Sequence, residues 1–174
     1  MNYFDYFDLP VRFYTDKQQL RSRFLEKSKQ LHPDFHTLAD SPAREAAEDL
    51  SSLNNKAYQT LADDDARIRH ILELHGLFSD EENYKMSPDF LVGVMDINEN
   101  LMELEFDFNQ GRYDATLSAI RALENDLNAL IRPDLLAFDN GEMREATLVR
   151  VRDFYFKRRY LLRLKENLAK FAAA

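Results

Sequence analysis

Four histidines and one run of aspartates are the residues with the most obvious chemistry to offer: His32, His36, His70, His75 and Asp63-Asp64-Asp65. Cysteine is absent, which excludes disulfides, thiolate nucleophiles and cysteine-held zinc. His32 and His36 straddle a proline loop. His70 and His75 stand at i and i+5, a spacing that does not share a helix face. Neither pair is arranged as metal ligands, and no metal is expected. The aspartate run lacks the alternation and the central glycine of a calcium loop. It reads instead as negative charge at a helix N-terminus. There is no glycine-rich phosphate loop, no G-x-S-x-G and no paired-carboxylate site. Neither a cofactor nor catalysis by the chain itself is expected.

What remains is the chemistry of binding. In "KQLHPDFHT", Pro33 fixes φ and pins a loop. Asp34 can offer a carboxylate to a partner's arginine, in bidentate fashion. His32 can donate or accept one hydrogen bond at neutral pH. Arg21, Arg23, Lys27 and Lys29 precede the loop and lie largely off the apolar stripe of their helix, so they can meet an acidic partner. The alternative is a proline-terminated loop in which Asp34 only forms a turn.

A second set follows Pro88. At 100° per residue, Val94, Ile97, Leu101, Leu104 and Phe108 fall in one arc and form the natural core stripe. Val92, Met95, Asp96, Glu99 and Glu103 cluster on the opposite side, with Leu91 and Met102 on the flank. A small bundle cannot bury both sides of one helix, and exposed apolar groups tend to mark partner sites. The carboxylates among them favour a basic partner. Phe156 projects well off the stripe of the last helix and could join this patch. The alternatives are that Leu91, Val92, Met95 or Met102 packs on the N-terminal domain, and that a loop covers Phe156.

The elements that must position these groups read as helices throughout. The chain has 174 residues, 45% hydrophobic and 31% charged, with only 4 glycines and 5 prolines and few β-branched runs. An aromatic segment ends at Leu9-Pro10, and Thr15 looks like the N-cap of a helix carrying Leu20, Phe24 and Leu31. Pro33 stops that helix. Ser41-Pro42 opens a return helix striped by Ala46, Leu50, Leu53, Ala57 and Leu61. "DDDARIRHILELHG" continues as another helix, with Gly76 suited to its C′ position. The bundle opens at Ser87-Pro88. Gly111 is expected to break its first helix. A second spans about 112–132 and ends before Pro133, "PDLLAFDNGE" turns, and a long last helix carries Val151, Phe154, Leu161, Leu164, Leu168 and Phe171. The expected fold is all-α: a helical-hairpin domain over 1–76, a linker over 77–87 and a three-helix bundle over 88–174.

A net charge of −8 disfavours nucleic acid as a partner. The charge is segregated: Lys85 is the one basic side chain in residues 80–110, whereas residues 142–174 are mainly basic. No apolar run reaches membrane-spanning length, so no membrane contact is expected. "MNYFDYFDLP" has neither signal-peptide nor transit-peptide character, and a cytoplasmic location is expected.

An aromatic start, a basic helix, a His-Pro-Asp loop and a return helix ending in "LNNKAYQTL" together resemble the J-domain of DnaJ-type co-chaperones over residues 1–76. With "NYFDYFDLP", "RIRHILELHG" and "FLVGVMDINENL" added, nearly the whole chain resembles the HscB family of iron–sulfur cluster co-chaperones. That resemblance implies an N-terminal J-domain that docks on a DnaK/HscA-type chaperone and stimulates its ATPase. His32, Pro33 and Asp34 would make the contact, supported by Arg21, Arg23, Lys27 and Lys29. It implies a bundle that binds the cluster scaffold IscU through Leu91, Val92, Met95, Asp96, Glu99, Glu103 and Phe156. A J-domain co-chaperone serving a different client protein is the alternative. The zinc-binding extension of some eukaryotic relatives is not expected. Departures from the family pattern are Phe35 in place of a basic residue after Asp34, His70 in place of a tyrosine, Gly93 within a helix, and the shorter Val92 and Asp96.

Overall fold

The structure, a computed structural model, describes residues 1–31, 41–78, 84–142 and 144–172. Every regular element among them is a helix. They divide into two compact units, Met1–Leu77 with Phe138–Glu142, and Phe78–Ala137 with Met143–Ala174.

The first unit holds α1 (Tyr3–Tyr6), α2 (Lys17–Gln30), α3 (Ser41–Ala62) and α4 (Asp64–Leu74). The N-cap of α2 is Asp16, not Thr15. Its carboxylate accepts from the backbone N–H groups of Gln18 and Gln19 at 2.9 and 3.0 Å, while the Thr15 hydroxyl turns back to donate to the Arg12 carbonyl. A charged acceptor outcompetes a hydroxyl for those unpaired donors.

Helices α2 and α3 run antiparallel. The ring of Phe24 stacks on Tyr58 at 4.3 Å, and the buried Asn54 amide donates to the Ser28 hydroxyl at 2.9 Å and to the Phe24 carbonyl at 3.3 Å. This register carries the first half of α3 past the end of α2. The expected stripe is therefore incomplete: Ala57 and Leu61 are buried, but Ala46 and Leu50 are exposed.

Asp63 caps α4 by accepting from Ala66 N at 2.8 Å, so the aspartate run does sit at a helix N-terminus. Gly76, at φ +68°, follows the C-cap His75. The segment between α1 and α2 is tied down from two sides. Buried Arg67 donates to the carbonyls of Phe13 and Leu61 at 2.8 and 2.7 Å, and pairs with Asp64 at 2.5 Å. Asp139 accepts from the backbone N–H groups of Phe13 and Tyr14 at 2.7 and 2.8 Å. The Phe13 ring packs on Phe138 at 4.8 Å.

The second unit is a three-helix bundle whose first arm is broken in two: α5 (Pro88–Gly93) and α6 (Met95–Phe106), divided at Val94. The other arms are α7 (Gln110–Asp139), whose last two residues belong to the first unit, and α8 (Glu145–Ala172). Val94, Ile97 and Leu104 from the first arm meet Ile120 of α7 and Leu161, Leu164 and Leu168 of α8 in the core. A fully buried aliphatic side chain contributes about 1.5–3 kcal/mol, so this cluster is the main source of the unit's stability. The Asn98 amide donates to the Tyr160 hydroxyl at 3.2 Å, linking α6 to α8. Ion pairs link α7 to α8, with Lys165 on Glu124 at 2.9 Å and Arg150 on Asp134 at 2.5 Å. The hydrogen bond from Arg150 holds the Asp134 carboxyl below its ordinary range, against the opposing effect of burial.

Three sequence expectations fail in this unit. The break after α6 is made by Asp107–Asn109, not by Gly111: the Asn109 side chain accepts from Arg112 N at 2.9 Å, and Gly111 lies inside α7. Phe108 falls beyond the end of α6 and is exposed instead of joining the core. Pro133 does not end its helix. Helix α7 runs through it to Asp139, because Leu135 and Phe138 carry the buried stripe of Ile131 on past the proline.

Candidate partner-binding surfaces

Helix α2 carries the basic residues of the first candidate surface. Arg21 and Lys29 are exposed. Arg23 lies 3.6 Å from Glu26 one turn on, and the Lys27 ammonium sits over the Tyr6 ring at 4.6 Å. Lys27 therefore helps hold α1 against α2 as well as adding charge. His32, Pro33 and Asp34, together with Phe35 and His36, lie outside the described residues.

The second candidate surface is on α5 and α6. Leu91, Val92, Met95, Asp96, Glu99 and Glu103 are all exposed, whereas Val94, Ile97 and Leu104 on the other side are buried. The helical projection thus separates core from surface correctly across the break at Val94. The break is slight, since Val94 N still donates to the carbonyls of Phe90 and Leu91. Phe90 anchors α5 with its ring edge-on to Tyr160 at 5.7 Å and the Lys157 ammonium 5.6 Å above it. Glu103 is already paired, with Arg112 at 2.7 Å.

Phe156 is only partly exposed. Its ring stacks on Tyr84 at 4.4 Å, nearly parallel, and on Phe78 at 5.4 Å, with Tyr155 edge-on at 5.5 Å. The Tyr84 hydroxyl donates to Asp153, and Lys157 pairs with the same carboxylate at 2.7 Å. Burial, the bond to Asp153 and that carboxylate's charge push the Tyr84 phenol up to about 12. Phe156 is thus covered in part, with Phe78 and Tyr84 of the expected linker packed on its ring.

Sequence reasoning missed Phe106, the last residue of α6, which is 89% exposed. The signal was present: Met95, Met102 and Phe106 stand at i, i+7 and i+11. His70 is a packing residue, buried against α1, where its Nε2 accepts from Tyr3 N at 3.1 Å. Among the described residues no group of three or more His, Asp or Glu is gathered to hold a metal ion, and no helix is long and apolar enough to cross a membrane.

Residues 86–169 match the family described as the HSCB C-terminal oligomerisation domain. The chain is 27% identical over 168 residues to the human iron–sulfur cluster co-chaperone protein HscB, spanning 96% of this chain and 67% of that protein. Its fold matches the crystal structure of human HscB with a TM-score of 0.77 at 25% identity, over 97% of this chain and 81% of that one. It matches the chaperone HscB from Vibrio cholerae with a TM-score of 0.66 at 26% identity, over 99% and 98% of the two chains.

Proposed function

We propose that the chain is an HscB-type co-chaperone, as its family match over residues 86–169 and its likeness to HscB proteins support, and that it binds an IscU-type iron–sulfur cluster scaffold and delivers it to a DnaK/HscA-type chaperone, whose ATP hydrolysis it stimulates. The observation that carries this reading is the face on α5 and α6. Leu91, Val92 and Met95 are exposed among carboxylates, on the side of the helix away from its own core. An apolar surface edged with negative charge suits a folded partner with a basic rim better than it suits a small ligand.

The chemistry assigned to this chain is recognition. Leu91, Val92 and Met95 would supply desolvated contact area, with Asp96 and Glu99 steering the approach. Glu103, held by Arg112, would act at the edge. Phe156, stacked against Phe78 and Tyr84, would offer the accessible part of a rigid aromatic platform. For the chaperone, Asp34 would engage an arginine, with His32 and Pro33 shaping the loop and Arg21, Arg23, Lys27 and Lys29 meeting an acidic surface. The hydrolytic site would lie in the chaperone.

Steady-state ATP turnover by an HscA-type chaperone, with and without scaffold, tests both halves. This chain should raise turnover, and scaffold should raise it further. Asp34→Ala should remove the stimulation while leaving scaffold binding intact. Stimulation that survives Asp34→Ala would sink the chaperone half. Unchanged scaffold affinity in the Leu91→Ala/Met95→Ala variant would sink the scaffold half and favour a different client.

A further inference from the structure

The exposed face does not stop at Met95. Within α6, at 100° per residue, Met95, Glu99, Met102 and Phe106 fall in an arc of about 60°, and Ile97, Leu101 and Leu104 point the opposite way into the core. Exposure along this line rises from 53% at Met95 to 62% at Met102 and 89% at Phe106. The apolar stripe therefore continues for about 16 Å from Met95, three turns of helix, to the end of α6. A phenylalanine so exposed at the end of a methionine stripe gains nothing from its own bundle. Methionine adapts its shape to whatever surface covers it.

We propose that Met102 and Phe106 are the distal half of the scaffold-docking face, and that they take an apolar surface of the scaffold protein rimmed by lysine or arginine. This rests on the scaffold-binding reading above. Two observations choose the occupant. The first is charge. Asp96 edges the stripe on one side and Glu105 on the other, Glu99 lies within it, Glu103 beside Asp96 is paired with Arg112, and Lys85 is the only basic residue in 80–110. A second copy of this chain, docking through the same stripe about a two-fold axis, would bring those carboxylates against their own equivalents. A basic-rimmed partner meets them with opposite charge. The second is continuity: Met95 belongs to both halves, so a partner seated on Leu91 and Met95 needs only to extend along the same helix to reach Phe106.

Calorimetric titration of the IscU-type scaffold from the same organism into three forms of the full chain tests this. They are the wild type, Leu91→Ala/Met95→Ala and Met102→Ala/Phe106→Ala. Both truncated side chains of the last variant are exposed, so its fold should persist, and circular dichroism checks that it does. The expected result is a loss of affinity of at least about tenfold for Met102→Ala/Phe106→Ala, as for anchors at an interface centre. Wild-type affinity in that variant, with weakened binding in Leu91→Ala/Met95→Ala, would overturn the inference and leave the proposed function standing. No weakening in either variant, or no binding by the wild type, would overturn both. Sedimentation of the proteins alone covers the remaining occupant. If Met102→Ala/Phe106→Ala abolishes self-association and spares scaffold binding, the stripe belongs to a second copy and the inference is wrong.

Discussion

At the scale of single residues, His70 shows how a buried polar group fixes a chain end. Its Nε2 accepts from Tyr3 N at 3.1 Å, and its ring stacks on Tyr3 at 4.6 Å and on Phe4 at 6.0 Å. Nε2 can accept only when it carries no proton, so the native contact needs neutral imidazole. Burial holds the His70 pKa below its ordinary 6.5, opposed by the charge of Glu73 and aided by the N-terminal amine. The folded state thus binds fewer protons than the unfolded state between the depressed folded value and 6.5. Stability from this group is present above pH 6.5 and is lost as pH falls through that window. Urea midpoints measured from pH 7.5 to 5 should fall on the acid side, and His70→Gln, which keeps an acceptor but cannot titrate, should flatten that fall. A slope unchanged in His70→Gln would assign it to another group. The residue's place on a helix was legible, but its partner, 67 positions away, was not. Local spacing does not encode such a contact. The same limit hid Asp139, whose bonds to Phe13 and Tyr14 span more than a hundred residues.

At the scale of elements, apolar periodicity located the helices and local punctuation misjudged where several of them end. Three-and-four spacing gave the buried sides of α4, α6 and α8, because those stripes face partners along their length. It overstated α3, where the register with α2 leaves Ala46 and Leu50 uncovered. Pro133 is the clearest case. A proline inside a helix costs about 3 kcal/mol through a lost hydrogen bond and a ring clash. Leu135 and Phe138, buried beyond it, return about 1.5–3 kcal/mol each, so continuation wins. Sequence alone shows the cost and hides the return, which exists only once α7 has neighbours. Pro133 is exposed, so Pro133→Ala should restore the helical bond and shed the clash. Thermal unfolding should move upward, with a gain of up to about 3 kcal/mol in chemical denaturation. A loss of stability would mean that proline at 133 stabilises the native helix instead of straining it.

At the scale of the whole molecule, the net charge of −8 hides a division of labour. On the proposed reading the chain shows a basic helix face to the chaperone and an acidic, apolar-centred face to the scaffold, so the two partners do not compete for one kind of surface. Charges at an exposed rim act mainly on the rate of encounter, whereas the apolar centre sets the lifetime of the complex. Asp96 and Glu99 are exposed, so salt screens them: the Debye length shrinks from about 14 to about 6 Å between 50 and 300 mM ionic strength. Association with the scaffold should therefore slow severalfold over that range while dissociation changes little. Asp96→Asn/Glu99→Gln should slow association at low salt and flatten its dependence on salt. Leu91→Ala/Met95→Ala should do the reverse, leaving association steep in salt and speeding dissociation. Stopped-flow measurement of both rates separates these cases. An association rate indifferent to salt, or a neutralised variant that keeps the wild-type slope, would remove the acidic residues from the encounter and leave the apolar stripe as the whole of the recognition.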